Sequence, residues 1–100
     1  MILYINTIDR KNIMVSLKKD GEQVVSLSEG NEYGSQALLP LILKLLKTVN
    51  CKLKTLQGIE VETGPGSFTG IRVGVSVANA FGFSLGIPVN GKKIETDLLY

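Results

Sequence analysis

The chain has 100 residues, 44% of them hydrophobic, which suffices for one domain around one core and is too short for two. Eleven Lys and Arg against nine Asp and Glu leave a formal charge of +2, too small to steer the chain as a whole onto nucleic acid. With no histidine and one cysteine, Cys51, the sequence lacks the usual general base near pH 7, the usual zinc ligand sets and any internal disulfide.

The chain opens on strand-like sequence without a basic and apolar leader pattern, so a cytoplasmic protein is expected. Ile2 to Thr7 reads as a strand, and Asn12 to Lys18 alternates Ile13, Val15 and Leu17 against Met14, Ser16 and Lys18. Asp20-Gly21 is a hairpin signal because both residues tolerate positive φ, and Gln23 to Ser28 supplies the third strand. Ser35 to Asn50 has the leucine pattern of a helix with Ser35 as a candidate N-cap, although Pro40 points to a later start of its regular part. Leu56 to Thr63 gives a fourth strand, Gly64 to Gly70 a loop, Ile71 to Leu85 a second helix and Ile87 to Asn90 a short fifth strand.

Val73 to Gly91 carries no charge over a length that would span a bilayer. Its Ser76, Asn79, Ser84, Pro88 and Asn90 fit a buried helix followed by a turn better than a membrane segment.

The order βββαβαβ predicts an α/β fold: a ribonuclease-H-like half-domain with a mixed five-stranded sheet, and right-handed crossovers that set both main helices on one face. On the fourth strand Ile59, Val61 and Thr63 point one way and Glu60 and Glu62 the other, so the second face is expected to be wet. A metal-binding acidic pair beside Asn6 is the competing reading of those carboxylates.

Gly64-Pro65-Gly66-Ser67-Phe68-Thr69-Gly70 joins a strand to a helix, where free N–H groups and the helix dipole suit an anion. It lacks the Lys of a Walker A loop, and its glycines are spaced one residue wider than the dinucleotide fingerprint. A tight turn capped by Ser67 or Thr69 explains the same residues without a ligand. Followed by Ile71-Arg72-Val73-Gly74, the block resembles the signature G-P-G-S-F-T-G-[LI]-R-[IV]-G of the TsaB (YeaZ, glycoprotease-like) family. Ser35-Gln36 with Leu38-Leu39-Pro40 is similar to that family's H-S-Q-x-L-L-P, and Leu85-Gly86-Ile87-Pro88-Val89 to its L-G-I-P-[LV].

The resemblance covers essentially the whole chain. It implies an actin-like fold and a non-catalytic accessory protein; from the residues themselves a cytoplasmic chain without cofactor or metal is expected. Its partner would be the catalytic threonylcarbamoyl transferase subunit acting on adenosine 37 of tRNA, together with the associated ATPase subunit, and in isolation it would form a homodimer. Three departures stand out: Ile5-Asn6-Thr7-Ile8 where the family has I-D-T-S, Gly34 in place of the family's histidine, and a sequence that stops at the residues, Glu95 to Tyr100, after which the family has its second domain. Asp9, a turn residue, is expected to be exposed rather than a substitute for the missing aspartate. The solvated Glu60 and Glu62 favour a half-size protein with residues 1–100 as its single domain, since buried unpaired carboxylates would cost several kcal/mol.

The apolar residues of the first helix span an arc of roughly 200°, where packing on a sheet needs little more than about 100°. Gly74, Ala78 and Gly82 form a small-residue ridge on the second helix that would admit a neighbouring helix. Packing of this ridge inside the chain itself is the alternative. Family members pair through these two helices, so the resemblance implies a partner interface of Ile42, Leu45, Leu46, Ile71, Gly74, Val75, Ala78, Phe81, Gly82 and Leu85. On that reading Ala78→Glu leaves a folded but dissociated chain. Lys44, Lys47, Lys52 and Lys54 make a modest basic cluster, and whether the chain touches tRNA stays open. The alternative functions are a phosphotransferase-like nucleotide domain using the Gly64 to Gly70 loop, or a protease, for which no histidine exists to activate Ser67 or Cys51.

Overall fold

The computed structural model describes residues 1–9, 12–30, 37–64 and 68–92. Strands β1 (Ile2–Asn6), β2 (Asn12–Lys19) and β3 (Glu22–Gly30) form the expected antiparallel meander. Asp20 and Gly21, at φ 54° and 81°, close the β2–β3 hairpin in the doubly positive conformation that matches strand twist. β4 (Gly58–Val61) returns parallel beside β1, giving the order β3-β2-β1-β4.

The fifth strand is shorter than expected. Val89 makes a single parallel bridge to Ile59, with the Ile59 N–H donating to Pro88 O at 2.9 Å and the Asn90 N–H to Ile59 O at 2.8 Å. Asn90 and Gly91, both at positive φ, then turn the chain back so that Val89 and Lys92 pair. The side chain of Asn90 takes over where the backbone leaves: its Oδ1 accepts the Val61 N–H at 2.8 Å and its Nδ2 donates to Val61 O at 3.1 Å. One carboxamide thus replaces the next peptide of the ladder and satisfies an edge that would otherwise be bare.

α1 (Leu38–Thr48) lies over β2 and β3, and α2 (Phe68–Leu85) over β1 and β4. Leu3, Ile5, Ile13, Val15, Leu17, Ile59 and Val61 face them from the sheet, all buried. Each such aliphatic side chain contributes about 1.5–3 kcal/mol when removed from water. Pro40 sits in the first turn of α1, where a missing N–H leaves no bond unmade. The expected cap, Ser35, lies outside the described residues. At its C-terminus Asn50, at φ 54°, ends the helix, with the Cys51 N–H donating to Leu46 O and the Asn50 N–H to Lys47 O.

No helix is long and apolar enough to cross a membrane among the described residues.

Candidate functional site

The signature block is built around a close approach of α2 to the end of β1. Gly64, at φ 128°, leaves β4 in a conformation that side chains rarely tolerate. Pro65, Gly66 and Ser67 lie outside the described residues. Phe68, Thr69 and Gly70, expected in the loop, already form the first turn of α2. Thr7 follows β1, is 1% exposed, and donates its hydroxyl to Gly70 O. A Cβ on Gly70 would run into Thr7 O, and one on Gly74 would lie 2.6 Å from Thr7 Oγ1 and 3.2 Å from Val61 Cγ2. These two glycines therefore let the helix backbone touch the strand, a packing role on the chain's own sheet. Sequence reasoning missed Thr7, whose alternation with Leu3 and Ile5 already sets it on the buried face.

On the opposite face, Tyr4 donates its hydroxyl to Glu62 Oε2 at 3.0 Å and accepts Asn6 Nδ2 at 3.3 Å. Asn6 Oδ1 accepts the Ile8 N–H at 3.1 Å, so the amide standing at the family's aspartate position serves the local turn. Glu60 is exposed as expected but pairs with Lys18 at 3.0 Å, and that ammonium lies 4.6 Å from the centre of the Tyr4 ring. Glu62 departs from expectation: it is half-buried and bonded to Tyr4 rather than merely solvated. Asp9 is exposed and lines an open hollow of about 370 Å³ with Asn6, Asn12, Met14 and Ser28. No group of three or more His, Cys, Asp or Glu residues comes together among the described residues.

Burial, and then the Glu62 carboxylate, raise the Tyr4 phenol above its ordinary 10.0. A pKa higher in the folded state means that folding favours the protonated phenol. That stabilisation is complete below pH 10 and disappears as pH rises through the folded value. In an ultraviolet titration, the difference between wild type and Tyr4→Phe should show a phenol ionising above pH 10, and Glu62→Gln should lower that midpoint. An unmoved midpoint would exclude the Glu62 contribution.

The expected partner interface requires correction. Ile42, Leu45 and Ala78 are fully buried, and Leu46 and Val75 nearly so, all within the chain's own core, while Gly74 and Gly82 are buried as well. Ile71 and Phe81 pack partly against that core, and Leu85 is half-buried. Gly74 faces the sheet, where a Cβ would meet Thr7, Val61 and Ile5, and Ala78 and Gly82 follow it as buried residues one and two turns on. What the helices turn outward is different: Leu39 and Leu43 on α1, 45% and 52% exposed, and Phe83 on α2, 44% exposed. Val73 and Val77 are half-buried and pack against the same core, Ser76 and Ala80 are half-buried as well, and after the exposed Arg72 that helix carries no charge.

A meander extended by a parallel strand, with two helices on one face, defines an actin-like, ribonuclease-H-like half-domain. YeaZ from Pseudomonas aeruginosa has this fold, with a TM-score of 0.78 and 30% identity over 88% of this chain and 41% of that one. Residues 30–91 match the family described as TsaD: tRNA N6-adenosine threonylcarbamoyltransferase, and the chain belongs to that family. The tRNA threonylcarbamoyladenosine biosynthesis protein TsaB of Buchnera aphidicola is 38% identical over 93 residues, 91% of this chain and 43% of the relative. A tRNA N6-adenosine threonylcarbamoyltransferase of Tropheryma whipplei is 48% identical over 54 residues, 53% of this chain and 14% of the relative. The chain spans less than half the length of each of these three proteins. The TsaB resemblance carried by the signature block is thus matched by relatives and by fold.

Proposed function

We propose that this chain is a non-catalytic accessory protein in the synthesis of N6-threonylcarbamoyladenosine at position 37 of tRNA. It binds the catalytic threonylcarbamoyltransferase subunit, works alongside the associated ATPase subunit and, alone, pairs with a second copy in the cytoplasm. The observation that carries this reading is the apolar outer side of the helices, with Leu39, Leu43 and Phe83 exposed and no charge on α2 beyond Arg72. A monomer of this size seldom leaves a large apolar surface in water, and association is its natural cover. An accessory role also fits Asn6, an amide already bonded to Ile8 and Tyr4 where the family pattern has an acid, and a sequence without histidine.

The purified chain is expected to co-elute with the catalytic subunit. Leu43→Asp combined with Phe83→Asp should weaken that association at least about tenfold, equivalent to about 1.4 kcal/mol, with an unchanged circular dichroism spectrum. Co-elution of the folded double variant at wild-type strength would refute the interface.

A further inference from the structure

We propose that the arm from Lys44 to Lys54 docks the phosphate backbone of a folded RNA. Between Ala37 and Ile59 every charged residue is a lysine: Lys44 and Lys47 on α1, Lys52 and Lys54 in the connection to β4. All four are exposed, and none has an ion pair among the described residues. The rest of the described chain carries four basic side chains against six carboxylates, so the small overall charge conceals a strongly one-sided distribution. A local field of this kind attracts a polyanion even where net charge does not.

The framework under the lysines is ordered. Lys44 and Lys47 stand about one helical turn apart on α1, on the flank beside the exposed Leu39 and Leu43 stripe rather than on the stripe itself. The turn at Asn50 then reverses the chain and sets Lys52 and Lys54 at the same end of the sheet, where the Gln57 N–H bonds Met1 O. The hydroxyls of Thr48 and Thr55 hold the carbonyls of Lys44 and Lys52, at 2.8 and 2.6 Å. Lys47 alone also answers the negative end of the helix dipole; Lys44, Lys52 and Lys54 have no comparable internal task. The choice of RNA over an acidic protein rests on the tRNA reading above.

The test is fluorescence anisotropy with an unmodified tRNA transcript across a salt series, with co-elution of the catalytic subunit measured on the same preparations. Four phosphate contacts predict a slope of log affinity against log salt of about −3. Replacing all four lysines with glutamine should weaken binding at about 50 mM salt by tenfold or more and flatten the slope. Four arginines in their place should restore both, and Lys92→Gln should change neither. A wild-type chain that co-elutes with the subunit but does not bind tRNA, or a glutamine variant that binds tRNA as wild type does, overturns the proposal and leaves the accessory reading intact. A glutamine variant that loses only the subunit makes the arm a protein contact and equally overturns it. RNA binding without co-elution would instead overturn the accessory reading and support the arm.

Discussion

Adding one methyl group at Gly70 or Gly74 should destabilise the domain by about 2–3 kcal/mol, although alanine is ordinarily the better helix former by about 1 kcal/mol. The reason is the joint between β1 and α2. At Gly74 the new Cβ would stand 2.6 Å from Thr7 Oγ1, 3.2 Å from Val61 Cγ2 and 3.4 Å from Ile5 Cγ2, all in the packed core. At Gly70 it would meet the backbone oxygen of Thr7, which no rotamer change can move. The two sites should therefore respond differently to Thr7→Ala. That change removes the obstacle at Gly74 and should recover part of the loss there, a positive coupling in a double-mutant cycle, but none at Gly70. Gly30→Ala, where a Cβ meets nothing within 4 Å, serves as the control and should shift stability by under about 0.5 kcal/mol. Urea unfolding followed by circular dichroism reads every single and double variant; a Gly74→Ala chain as stable as wild type would mean that α2 does not lie this close to β1.

Much of the fold was legible because its signals are local. Asp20-Gly21 fixes the hairpin, and the alternation in β2 fixes its inward face, so the meander follows from positive φ and a period of two. The beginning of α2 was not legible, since Phe68-Thr69-Gly70 has the composition of a loop and becomes helical only as the strand end receives it. Asn90-Gly91 carried a turn signal as plain as that of Asp20-Gly21, and it cut the expected last strand to one bridge. The expected interface residues were the least legible, since most of them are core. Periodicity puts Gly74, Ala78 and Gly82 on one side of a helix but cannot say whether sheet or solvent lies there. The surplus apolar arc on α1 was a sound inference: Leu39 and Leu43 are the surplus, while Ile42, Leu45 and Leu46 belong to the core.

Ala78→Glu turns that correction into a measurement. Had the ridge faced outward, the variant would fold and merely dissociate. Instead Ala78 is fully buried between α2 and the sheet, in one cluster with Val61 and Val75. A carboxylate there has no cation among its neighbours in that cluster, and it either ionises in an apolar medium or binds a proton at neutral pH. Its added volume must also displace packed side chains, at about 1–3 kcal/mol more. Together these penalties amount to several kcal/mol against a total stability of about 5–15 kcal/mol for an ordinary domain. The variant should therefore lose its cooperative thermal transition or aggregate. Phe83→Glu, at a position 44% exposed, should keep the wild-type spectrum and a transition close to that of wild type. Circular dichroism and light scattering on the pair decide the matter. If Ala78→Glu is folded and monomeric while Phe83→Glu unfolds, α2 presents its glycine ridge to a partner and the packing described for β1 is wrong.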